Sequence, residues 1–226
     1  MMDVSKKEGS KMNESLKQIH DDPIERGAND LLIGDAKPTS LAKKIAEYAH
    51  RNQQRENGEP YICHPLRVLD LYRNFVGLSY QGTLSMPYDL LHQKGIPLEG
   101  VEAVCLLHDV VEDTALSIDD IRALYADNGM ADYFDRYIHD PLSLITHDDK
   151  AVPYPEYIQI CMKHPSSAIV KMMDLIDNLK VIDLETFDEW CLNRAKDYLG
   201  YLYTINHEYH FIETVQKYKK EFYGKE

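Results

Sequence analysis

A chain of 226 residues with 44% apolar and 28% charged residues has the length for one sizeable core and the composition of a globular protein. Its net charge of −13 argues against a nucleic-acid binder, which needs a basic surface to neutralise phosphates. No apolar run approaches the ~20 residues that cross a bilayer, and the charged, polar start from Met1 to Lys17 does not read as a secretory signal.

Residues 1–36 are rich in Lys, Asp, Asn and Gly and read as a weakly structured arm, leaving 37–226 as a single domain. Thr39 or Ser40 is placed to cap a helix running to about Gln54, with Leu41, Ala42, Ile45, Ala46, Tyr48 and Ala49 on one face. Asn57-Gly58-Glu59-Pro60 marks a turn, and His64-Pro65 opens a second helix through Leu71. Between Tyr72 and Pro97 glycines and prolines suggest a long connection with short helical pieces. Helices are then expected over Leu98 to Glu112, Ile118 to about Asp127 after a Ser117 cap, and Met130 to Ile138. Others follow from Pro153, over Ala168 to Ile182, and over Glu185 to Tyr218. Alternating strand patterns are scarce, so the fold expected is all-α. Cys63, Cys105, Cys161 and Cys191 are scattered and make no CxxC pair, which fits reduced thiols and a cytoplasmic location.

The stretch Leu106-Leu107-His108-Asp109-Val110-Val111-Glu112-Asp113-Thr114 concentrates the chemistry. On a helix, Glu102, His108, Asp109, Glu112 and Asp113 share a sector of roughly 140°, while valines and leucines cover the rest. An apolar helix belongs in a core, yet this one carries one imidazole and four carboxylates. Unpaired buried charge is costly, so a positive partner must face them, and a divalent metal ion is the simplest. Over 168–182, Lys171, Asp174 and Asn178 share a sector of roughly 60°, which places Asp174 as a further carboxylate. His64 is the third contributor. Two imidazoles and two carboxylates suit Mn, Fe or Zn better than Ca.

Together these residues resemble the HD phosphohydrolase superfamily, and within it the hydrolase domain of RelA/SpoT-type alarmone enzymes and the small alarmone hydrolases. The matching text is Ala49-His50, Arg55, Asn57-Gly58-Glu59-Pro60-Tyr61-Ile62, His64-Pro65-Leu66 with Val68, and Leu106 to Thr114. It continues with Val170-Lys171, Asp174 and Asn178-Leu179. The resemblance implies a helical-bundle HD domain in which His64, His108, Asp109 and Asp174 hold one metal, usually Mn2+, with Fe, Zn or Mg as alternatives. It implies that Glu112 and Asp113 orient and deprotonate the attacking water. Arg55 and Tyr61 would border the nucleotide base, and Asn178 would contact its ribose or phosphate end. The reaction implied is removal of the 3′-pyrophosphate from guanosine tetra- or pentaphosphate, a small-molecule substrate, with neither nucleic acid nor membrane as partner.

The chain departs from the family pattern at Glu56, where a basic residue is common, at Asp177, often His, and at Val181, a Thr-like position. The stretch 72–100 is also longer than usual. Two other functions therefore stay open: an HD phosphohydrolase for another nucleotide (a nucleoside monophosphate, a dNTP or a dinucleotide cofactor phosphate), and a non-catalytic nucleotide sensor. Retention of both Glu112 and Asp113 speaks against the sensor. His50 is expected on the polar side of its helix in a structural role. Cys63 and Cys105 are expected to pack rather than ligate, Lys171 to be solvated, and the C-terminal tyrosines to pack.

Overall fold

The computed structural model describes residues 37–55, 57–80, 86–180, 189–209 and 211. Among them every regular element is a helix, and the sole extended pairing is a bridge between Gln54 and Pro60. The arm 1–36, Glu56 and Val181 lie outside the described residues.

Helix α1 (Pro38–Ala49) starts on a proline, whose missing N–H is no loss in a first turn. The expected Thr39 or Ser40 cap is not made, since Lys37 holds the N-cap position without a side-chain bond. Thr39 Oγ1 instead donates to Glu102 Oε2 at 2.9 Å, tying α1 to α4 (Leu98–Leu107). The helix also stops short of Gln54, because residues 50–61 fold into a tight turn held by Gln53 N–H to the His50 carbonyl and Tyr61 N–H to the Gln53 carbonyl, both 3.0 Å. Gly58 takes φ 81° at its tip, a conformation natural to glycine.

Helix α2 (Cys63–Tyr80) runs straight through the start of the stretch expected to be a connection. Buried Tyr72 and Val76 continue its apolar stripe, and that packing outweighs the ~1 kcal/mol a helical Gly77 costs. Helix α3 (Met86–Gln93) follows. The helix expected from Leu98 to Glu112 is broken: α4 ends at Leu107, and a short α5 (Val110–Asp113) resumes after His108-Asp109. The imidazole causes the break. His108 Nδ1–H donates to the Cys105 carbonyl at 2.8 Å, the acceptor that a continuous helix would give to the Asp109 amide. Glu102, assigned to the same polar sector, turns the other way onto Arg73, with Nε to Oε1 at 2.7 Å.

Ser117 and Asp120 form a reciprocal capping box for α6 (Ile118–Asp127). Gly129 at φ 71° then turns the chain into α7 (Ala131–Tyr137). Helix α8 (His139–Ile145) is an addition to the elements anticipated, hidden by a polar His-Asp-Pro start over buried Leu142 and Ile145. Helices α9 (Tyr154–Cys161), α10 (Pro165–Lys180) and α11 (Glu189–Tyr209) complete the described chain.

Helix α4 is the centre of the bundle, packed between α1, α2 and α10, while α10 also touches α8 and α11. From Ala103 to Leu107 no α4 residue has any exposure, so truncating Leu106 to Ala would cost about 2–5 kcal/mol. This burial fixes the end of α4 beside the start of α2 and the middle of α10.

Candidate metal centre

Those three segments deliver His64 from α2, His108 and Asp109 from the α4–α5 break, and Asp174 from α10. The ligand atoms of His64, His108 and Asp109 all lie within 4.8 Å of one another. His64 Nε2 stands 3.3 Å from His108 Nε2 and 3.4 Å from Asp109 Oδ2, and His108 Nε2 stands 3.2 Å from Asp109 Oδ1. Asp174 Oδ1 lies 3.1 Å from His64 Nε2 and 3.9 Å from His108 Nε2. Both imidazoles and Asp174 are buried, and Asp109 is partly exposed.

The donor set fits a cation. His108 Nδ1 faces a carbonyl and His64 Nδ1 faces Asp177 Oδ2 at 2.8 Å. Each outer nitrogen therefore carries the proton, and in the neutral rings both Nε2 lone pairs point inward. Two lone pairs 3.3 Å apart and two carboxylates repel one another unless something positive lies between them. Burial opposes a charge on His64, but the carboxylates of Asp174, Asp177 and Asp109 push its pKa up to about 9. The same carboxylates would hold a cation in place of that proton. Cys105 lies in the core, where burial pushes its thiol well above its ordinary range.

The remaining expected residues surround the cluster. Glu112 and Asp113 sit on α5 one turn from the ligand pair, both exposed. Glu112 Oε2 accepts from the His147 amide at 3.1 Å. The Tyr61 hydroxyl contacts Asp109 Oδ2 at 2.9 Å and also Asp113 Oδ2. Arg55 Nη2 donates to Asn178 Oδ1 at 2.7 Å, and Asn178 Nδ2 donates to Asp174 Oδ1 at 2.6 Å. Arg55 Nη1 is buried with no hydrogen-bond partner among the described residues, 3.7 Å from Asp177.

Two side chains differ from expectation, and a third, Asp177, is placed by the structure. Lys171 is buried, not solvated: its Nζ donates to Asp174 Oδ2 at 2.7 Å and faces the Tyr157 and Tyr154 rings at 5.0 and 5.3 Å. Burial works against its charge, but the Asp174 carboxylate outweighs it and raises its pKa, while Lys171 and His64 hold the Asp174 carboxyl far below its ordinary range. His50 is buried, not on a polar face, and stacks on Tyr61 with ring centroids 4.7 Å apart. Asp177 is fully buried, held by Arg67 Nε at 2.9 Å, and Arg67 Nη1 reaches Glu59 at 2.6 Å. Arg67 carried no signal of its own, since a basic residue on an apolar helix reads as solvated.

Sequence reasoning also missed a cleft of about 350 Å³ lined by Tyr154, Trp190, Asn193, Arg194, Asp197, Tyr198 and Tyr201. Trp190 and Arg194 stand one turn apart on α11, and the guanidinium lies 5.0 Å from the indole centroid. Trp190, Arg194 and Tyr198 at i, i+4 and i+8 were the available signal. Tyr154, which lies against Lys171, joins this cleft to the cluster. No described helix is long and apolar enough to cross a membrane.

The all-helical fold gathers two imidazoles, two carboxylates and two further acids, a set that could hold a divalent cation beside groups able to activate water. Among known proteins the chain resembles guanosine-3′,5′-bis(diphosphate) 3′-pyrophosphohydrolases. It is 27% identical to the MESH1 enzyme of Xenopus tropicalis over 74% of this chain and 82% of that one. The identity to human MESH1 is also 27%, over 70% and 76%. A solved structure described as "A metazoan ortholog of SpoT hydrolyzes ppGpp and plays a role in starvation responses" overlaps 77% of this chain and 96% of that one, with a TM-score of 0.46 and 21% identity. No known family profile matches the chain.

Proposed function

We propose that this protein removes the 3′-pyrophosphate from guanosine tetra- and pentaphosphate, with Mn2+ as the preferred ion. The convergence of His64, His108, Asp109 and Asp174 beside Glu112 and Asp113 carries the reading. The MESH1 relatives support it, since their names state this activity and this chain spans most of their length.

A divalent cation held by the two Nε2 atoms, Asp109 and Asp174 would supply Lewis acidity to a phosphoryl oxygen and to the attacking water. Glu112 and Asp113 take the water's proton and aim its oxygen at the phosphorus attached to the 3′ oxygen. The P–O3′ bond breaks, the 3′ oxygen is protonated, and pyrophosphate leaves with GDP or GTP as the second product. Arg55 Nη1, buried without an acceptor among the described residues, is suited to a phosphate oxygen. The cleft on α11 offers Trp190, Tyr198 and Arg194 to the part of the nucleotide away from the reacting bond.

A second reading, hydrolysis of a different nucleotide, draws on one observation. Arg55 and Asn178, the side chains expected to hold the nucleotide, are hydrogen-bonded to each other. A panel of guanosine tetraphosphate, dNTPs, nucleoside monophosphates and dinucleotide cofactor phosphates, assayed with Mn, Fe, Zn or Mg, separates the two. Pyrophosphate released from guanosine tetraphosphate with Mn2+ supports the first, and turnover of the other nucleotides alone supports the second. Asp113→Asn is expected to lose turnover while keeping its metal content. Nucleotide binding without turnover under every metal would leave a sensor.

A further inference from the structure

We propose that the turn over residues 50–61 is a bracket that sets the position of Asp113, with Tyr61 as the positioning residue and His50 and Gln53 as its support. The inference rests on the hydrolytic reading above and gives Tyr61, Gln53 and His50 a role in the chemistry rather than in nucleotide contact.

Four contacts make the bracket: three tie the turn to Asp113 and Asp109, and one braces it from within. The Tyr61 hydroxyl reaches the carboxylates of Asp113 and Asp109 together. Gln53 Nε2 donates to the Asp113 backbone carbonyl at 2.6 Å, so the residue is gripped at main chain and side chain. His50 Nδ1 lies 2.5 Å from Gln53 Oε1. An amide has one accepting and one donating end, so the imidazole N–H holds the Gln53 oxygen and leaves the NH2 aimed at Asp113. The His50 ring itself lies flat on Tyr61, at an interplanar angle of 21°, and is 1% exposed. Its Nε2 has no hydrogen-bond partner among the described residues. This imidazole therefore serves by packing and by orienting Gln53.

The turn is stiff enough for that task. Arg55 N–H donates to the Glu59 carbonyl and Gly58 N–H to the Arg55 carbonyl, each at 2.8 Å, below the two bonds at its base. Asp113 is the last residue of a four-residue helix, its amide donating to the Asp109 carbonyl at 2.9 Å, and so short a helix leans on outside support. A phenol has one proton. With Asp109 engaged by a cation, that proton is left for Asp113, and its oxygen is held toward the substrate mouth.

The roles of base contact and bracket separate in kinetics. In the full-length protein loaded with Mn2+, Tyr61→Phe and Gln53→Leu are expected to lower kcat about 10–100-fold, with KM for guanosine tetraphosphate and Mn2+ affinity within about threefold of wild type. Crystals of Tyr61→Phe should show the Asp113 carboxylate rotated or split between two positions. A raised KM with unchanged kcat, or an Asp113 carboxylate left in its wild-type place, overturns the bracket. If the wild type hydrolyses no guanosine tetraphosphate, the substrate assignment falls, and the Asp113 position in those crystals decides the bracket by itself.

Discussion

Lys171→Met tests whether the cluster is built to be completed by a cation. The substitution keeps length and volume and removes the ammonium that lies 2.7 Å from Asp174 Oδ2. Both partners are buried, and removing one member of a buried pair costs about 3–5 kcal/mol because the other charge is stranded. Asp174 keeps the Asn178 amide and the His64 ring on Oδ1, which places the expected loss near the low end, about 3 kcal/mol. For a domain of this size 1 kcal/mol moves Tm by about 2–4 °C, so the metal-free variant should melt about 6–12 °C lower. A cation beside Oδ1 would relieve the stranded carboxylate, so the loss in saturating Mn2+ should be smaller than in chelator. By linkage the variant should then bind the ion more tightly than wild type. Calorimetric melts in chelator and in Mn2+ measure both. An equal loss in the two conditions, or a loss below about 1 kcal/mol, would refute the reasoning.

Asp177→Asn keeps the shape and removes the charge behind His64, so Mn2+ affinity by titration calorimetry should weaken about 10–100-fold; an unchanged Kd would mean that the carboxylate does not tune the ligand. Desolvation of its carboxylate by the surrounding groups raises the Glu112 pKa, the His147 amide opposing it and the Asp109 and Asp113 carboxylates adding to it. A base works deprotonated, so activity should be full above that raised pKa and fall as pH drops through it. The acid limb of kcat/KM should then lie above the ordinary glutamate value of about 4.3, and a limb at or below that value removes Glu112 from the role. Trp190→Ala should raise KM about tenfold with little change in kcat, the loss of about 1–3 kcal/mol of stacking, and an unaltered KM would place the substrate elsewhere.

The helical class was legible because the apolar spacing over 41–49, 101–107 and 168–179 has one period throughout. The clustering of the candidate ligands was legible from composition in context: His108-Asp109 is a charged pair inside an apolar helix, and such a pair needs a partner. What the sequence hid were events decided by side chains in three dimensions. The break after Leu107 follows from an imidazole bonding a carbonyl three residues back, which periodicity does not register. Lys171 looked solvated because a single helix shows no neighbours, and only the packing of Tyr154 and Tyr157 from α9 encloses it. Arg67 was invisible for the same reason, because its partners Glu59 and Asp177 lie 8 positions before it and 110 after it.

The way protein donors share out the Asp174 carboxylate has a consequence for ion choice. Lys171 occupies Asp174 Oδ2, while Oδ1, which accepts from Asn178, is the oxygen turned toward the imidazoles. Asp174 would therefore reach an ion through one oxygen and not chelate it with both. Calcium, which seeks six to eight oxygens and readily takes bidentate acids, would be poorly served, whereas a smaller transition ion content with mixed nitrogen and oxygen would not. A lysine that never touches the ion would thus bear on which ion fits.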